Sequence, residues 1–183
     1  MDNLANSLAG KDKFQESLQK YKECFAMFKR IYPNEMHRGI STTYNDLANV
    51  CITFKKFELA KEYIDKAIYI NTKLLGGVSV ELSTNYHTLG NLYSKEGKLI
   101  EAEKSYHQSL DMGKLAFGSG ETVDAGITLY QMAVLKLKKS DKKAAKSLLE
   151  SSREIFMKIF KGREKTCKPL IRVEKELERI KSS

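Results

Sequence analysis

Three asparagines stand at matching points of this sequence, Asn6, Asn49 and Asn91, separated by 43 and 42 residues. An asparagine amide carries two N–H donors and an oxygen with two lone pairs, so one side chain can pair with both the N–H and the C=O of an extended backbone. Two of the three have polar companions at helical spacing: Thr42, Asn45 and Thr53 around Asn49, and Thr84, His87 and Lys95 around Asn91. Asp2 accompanies Asn6, and a weaker set of Ile127, Tyr130, Val134 and Lys138 follows at the same interval. At about 100° per residue each set occupies one face of a helix. The chemistry expected of such a row is recognition of an extended peptide.

Other chemistry-bearing residues point nowhere so definite. His37, His87 and His107 include no pair at i, i+4, so a metal site is not expected. Cys24, Cys51 and Cys167 are odd in number and far apart, which fits neither a disulfide framework nor a zinc motif. Cys24 and Cys51 fall at packing positions and are expected to be buried thiols. No Gly-x-Ser-x-Gly or phosphate-binding Gly-rich motif occurs. No catalytic residue, cofactor or metal is assigned, and the sequence reads as a binding protein, not an enzyme.

The net charge of +9 has a single source. Residues 1–135 hold 16 basic and 16 acidic side chains, whereas residues 136–183 hold 16 basic against 7 acidic. Lys136, Lys138, Lys139, Lys142, Lys143 and Lys146 cluster within it, followed by Lys158, Lys161, Arg163, Lys165 and Lys168. A second reading assigns this end to RNA phosphates or an anionic surface. Few aromatic residues interleave with the lysines, so base stacking is not favoured.

The elements that must carry these side chains are repeats. The strings NLANSLAGKDKF at 3–14, DLANVCITFKKF at 46–57 and TLGNLYSKEGKL at 88–99 align. One copy contains Tyr44, Leu47, Ala48, Cys51, Ala60, Ile64 and Ala67, and the next contains Tyr86, Leu89, Gly90, Tyr93, Ala102, Tyr106 and Ser109. A fourth copy runs through Leu129, Met132, Ala133, Ala145, Leu149 and Ser152, with Lys136 where a large apolar residue is due. Large residues three and seven apart, with a small one between, describe two helices that approach closely at the small residue. A hairpin of this kind buries its apolar face only by stacking on its neighbour.

This pattern resembles tetratricopeptide repeats, and the long 42-to-43-residue period with Leu-Leu-Gly after the second helix resembles the repeats of kinesin light chains and related adaptors. The resemblance implies an all-α, right-handed superhelical solenoid of about four antiparallel helix hairpins, with the groove asparagines holding a partner peptide. It also implies repeats near 1–38, 39–80, 81–122 and 123–166, the first truncated within its first helix, and a capping helix over 167–183 built on Leu170, Val173, Leu177 and Ile180. The lysine-rich clamp by which some such proteins grip acidic chaperone tails is missing, since only Asn6 matches it. The truncated first hairpin is expected either to belong to a longer array or to offer an open edge for a homodimer. With no basic leader and no apolar run of membrane-spanning length, a cytoplasmic location is expected.

Overall fold

A computed structural model describes residues 14–182, and the described residues hold eight α-helices and no strand. They are α1 (Phe14–Ile31), α2 (Arg38–Thr53), α3 (Phe57–Leu75), α4 (Val80–Glu96), α5 (Leu99–Phe117), α6 (Val123–Lys138), α7 (Lys142–Ile159) and α8 (Lys168–Lys181). A 3₁₀ turn at Glu164–Thr166 precedes α8. The all-α solenoid expected from the repeats is what the chain forms. Asn6, Asp2 and the open edge of the first hairpin lie outside the described residues.

Side chains set the helix starts. Ser79 Oγ accepts the amide of Leu82 at 3.1 Å, Thr122 Oγ1 that of Ala125 at 3.0 Å and Asp141 Oδ1 that of Ala144 at 3.0 Å. Each satisfies one of the orphan N–H groups of a first turn. His37 takes the same role for α2, its Nδ1 accepting from Gly39 at 3.0 Å while its ring stacks on Tyr32. Gly97 ends α4 at φ 85°, a left-handed conformation that a side chain would strain.

Consecutive helices pair as hairpins, α2 with α3, α4 with α5 and α6 with α7. The same polar contact ties each pair at one repeat position. Ser41 Oγ donates to the carbonyl of Ala67 at 3.2 Å and Ser83 Oγ to that of Ser109 at 2.8 Å. In the last hairpin the donor changes sides, and Ser152 Oγ donates to the carbonyl of Gly126 at 2.7 Å. Small residues permit the approach: Ala48, Ala60, Ala102, Ala133 and Ala145 are fully buried, and a Cβ on Gly90 would lie 2.4 Å from the Tyr106 ring.

Along the array the first helices touch one another, α2 on α4 and α4 on α6, while α3 and α5 make no comparable contact. The first helices are thus the crowded inner wall and the second helices the wider outer one. At the end, α8 lays Leu170, Val173 and Leu177 on the core built around Ala145, Leu149 and Phe156.

Candidate functional site

The inner wall is scored by three clefts, and most of the sequence-derived row lines them. One of about 280 Å³ brings Asn49 and Thr53 of α2 together with Asn91, Ser94 and Lys95 of α4. A second, of about 190 Å³, lies between Thr42 and Asn45 of α2, Glu81 and Thr84 of α4, and Asn71 of α3. A third, of about 100 Å³, contains Thr84 and His87 beside Asp124 and Ile127 of α6. The threonine hydroxyls bond back along their own helices: Thr42 to the carbonyl of Arg38 and Thr84 to that of Val80, both at 3.1 Å, and Thr53 to that of Asn49 at 2.9 Å. Their protons are thereby committed, and the oxygens present lone pairs to the clefts.

The row is not uniformly open. Asn45 is only 7% exposed, because its Oδ1 accepts from Asn85 Nδ2 at 3.1 Å, and Asn85 Oδ1 accepts in turn from Asn71 Nδ2 at 2.7 Å. Asn45 is therefore the end of a buried amide chain joining α2, α4 and α3, not a freely presented groove residue. Asn91 is also held, its Oδ1 accepting from the Tyr106 hydroxyl at 2.8 Å. His87 packs against Tyr106, with Nδ1 2.8 Å from Thr128 Oγ1. Thr128 spends its proton on the carbonyl of Asp124, so His87 Nδ1 is the donor. Burial pushes the His87 imidazole down to about 4, which keeps it neutral at physiological pH. Tyr130 is half-buried and packs on the core shared with α8.

Two members of the amide chain escaped the sequence reading. Asn71 continues the buried stripe of Ala60, Ile64 and Ala67 by one helical turn, and that spacing is the signal that could have found it. Asn85 carried no such signal.

Residues 39–114 match the family described as Tetratricopeptide repeat. Among solved structures, BtubC (BKLC) from P. vanneervenii superposes with a TM-score of 0.76 at 15% identity, covering 91% of this chain and 65% of that one. Kinesin-light-chain-like repeats of Podosopora anserina superpose with a TM-score of 0.65 at 17% identity, over 99% of this chain and 90% of that one. Residues 39–114 thus match tetratricopeptide repeats, and the chain as a whole shares the fold of these repeat solenoids. A curated relative, the Clustered mitochondria protein homolog of Candida albicans, is 21% identical over 132 residues, 72% of this chain. The chain spans only 10% of that relative's length.

In the folded chain the basic end is divided, not a continuous field. Lys136 Nζ lies 2.5 Å from Glu103 Oε1, and Lys139 Nζ lies 2.9 Å from Glu103 Oε2. The departure at Lys136 thus replaces an apolar contact with a charge clamp between α6 and α5. Lys138 Nζ turns the other way and donates to Ser94 O and Oγ, both at 3.1 Å. Lys146 pairs with Glu150 at 3.8 Å and Lys158 with Glu121, while Lys142 and Lys143 are exposed on the first turn of α7.

The hydrogen bond from Lys136, followed by that from Lys139, holds the Glu103 carboxyl at about 2. A carboxyl depressed on folding contributes stability above its unfolded value, and loses it as pH falls through the folded value. Glu103→Gln is expected to cost about 1–2 kcal/mol at neutral pH. The gap between variant and wild type should close between about pH 4.5 and pH 2, as urea titrations at stepped pH would show.

The remaining candidates stand outside these clefts. His107 is exposed on the outer helix α5, away from His37 and His87. Cys24, Cys51 and Cys167 are all buried and none is in a disulfide, and burial pushes the Cys51 thiol up to about 11, away from nucleophilic use. Among the described residues no helix is long and apolar enough to cross a membrane.

Proposed function

We propose that this chain is an interaction scaffold that holds an extended segment of a protein partner along its inner wall. The array in this reading runs over residues 1–166, with 167–183 as its cap. The observation that carries it is the cleft of about 280 Å³ in which Asn49, Thr53, Asn91 and Lys95, contributed by two successive repeats, converge. Tetratricopeptide repeats are in general protein–protein interaction modules, and their concave wall suits a strand-like ligand whose backbone pairs with side-chain amides. Three buried thiols suit a reducing, cytoplasmic setting. Lys136 and Lys139 are occupied by Glu103, which leaves the reading as an RNA or anionic-surface binder with less free charge than the sequence offers.

Asn49 with Lys95 is the pair to change, since neither holds the core as Asn91 does through Tyr106. The double variant Asn49→Ala, Lys95→Glu is expected to melt as the wild type does and to lose partners in affinity capture by at least about tenfold, equivalent to about 1.4 kcal/mol. Undiminished capture would sink the proposal.

A further inference from the structure

The neighbouring cleft of about 190 Å³ holds an imbalance that the packing alone does not explain. Asn71 lines it, is 1% exposed, and its Oδ1 is a buried acceptor with no hydrogen-bond partner. A buried amide oxygen left unpaired costs free energy comparable to a lost hydrogen bond. The donors around it are committed. Asn71 Nδ2 goes to Asn85, Asn85 Nδ2 to Asn45, and Ser41 Oγ to the carbonyl of Ala67. Thr42 and Thr84 donate to backbone carbonyls of their own helices, so both turn lone pairs outward. The only charged side chain lining the cleft is the Glu81 carboxylate, whose partner Arg38 is itself largely exposed. A surface pair of this kind is easily shared with a second cation.

We propose that this cleft is a subsite for a donor-only cationic group, the guanidinium or ammonium of a basic residue on the bound segment. An ammonium or guanidinium has N–H donors and no acceptor, which complements a pocket offering a carboxylate, two threonine oxygens and an amide oxygen. The adjoining cleft has the opposite character, because Lys95 presents an ammonium there and Lys138 lies over Ser94 at its edge. The inner wall thereby reads polarity. A segment lying along it carries its basic residue near the start of α2 and α4, and its acidic or carbonyl-rich part near their ends. The assignment of the occupant to a partner segment rests on the groove reading above, whereas the cation subsite is testable without any partner.

The test is a titration of the isotope-labelled full chain with methylguanidinium chloride, following the side-chain amide signals of Asn45, Asn71 and Asn85 by NMR. These signals are expected to shift saturably, and tetramethylammonium, a cation without N–H donors, is expected to leave them unmoved. Glu81→Gln should weaken the response about tenfold, while Asn49→Ala, Lys95→Glu should retain a saturable response at Asn71 and Asn85, the Asn45 signal starting from a shifted position because Asn49 Nδ2 donates to the Asn45 carbonyl at 3.2 Å. Loss of partner capture in that double variant with the cation response retained therefore separates the two proposals. An absent shift would overturn the subsite, and so would an equal response to tetramethylammonium, which would mark simple charge attraction. A shift produced by acetate instead would mean that the three amides run in the reverse sense and expose a donor, and this too would overturn it.

Discussion

Phe156→Ala is expected to cost about 3–5 kcal/mol, the usual penalty for emptying a fully buried phenylalanine site. Phe156 is 0% exposed in the core that joins α6, α7 and α8. Its ring occupies the space that Gly126 leaves open, since a Cβ there would come within 2.8 Å of it. Repeat architecture sets where the loss is felt. Each hairpin contacts only its neighbours, so α6 to α8 should open while α2 to α5 keep their protection. Hydrogen exchange resolved by peptide checks this, and uniform loss of protection would contradict it. The trade of volumes makes a second check: Gly126→Ala should destabilise the wild type yet recover part of the loss in Phe156→Ala. Additive effects in that double-mutant cycle would show that the two residues do not share the space.

The same pair of positions shows what the sequence could and could not reveal. The small-and-large alternation of Ala48, Gly90 and Ala133 against Ile64, Tyr106 and Leu149 is periodic, so hairpins and their packing faces were legible. Gly126 and Phe156 belong to a second layer whose residue types change from copy to copy: Ser41, Ser83 and Gly126 on first helices face Asn71, Gly113 and Phe156 near the ends of the second. Such compensation leaves no constant pattern, and a reading built on constancy passes over it. The candidate site divides in the same way. Thr42, Asn49, Thr53, Thr84, Asn91 and Lys95 reach the inner clefts because helical phase fixes direction. Asn45 shares their phase closely, yet it is buried by Asn85, a contact 40 residues away that only the stacking of α4 on α2 creates. Tyr130 shows a related effect: α8 lies beside α6 and α7, and Tyr130 packs on the core that these helices share. Net charge misleads most, because one glutamate in the preceding repeat holds two of the lysines that form the apparent patch.

Gly90→Val should destabilise the array by about 3 kcal/mol, at the upper end for overpacking a close helix contact. The Cβ alone would meet Tyr106 at 2.4 Å, and the two further methyl groups find a ring that is 1% exposed and cannot swing into solvent. Tyr106 links that packing contact to the inner wall, since its hydroxyl fixes Asn91 and its ring abuts His87. Moving the ring therefore moves the Asn91 amide as well as the core. Tyr106→Phe isolates the second effect: it keeps the ring and releases Asn91, and is expected to cost only about 0.5–1.5 kcal/mol, the ordinary net worth of one hydrogen bond. Tyr106→Leu removes much of the ring, so Gly90→Val should be far less harmful in that background. Thermal or urea unfolding of the four proteins measures the coupling between the positions. Its sign is decisive, for a clash relieved by Leu gives a favourable interaction between the two changes, whereas a loss caused by β-branching within α4 would be the same in either background.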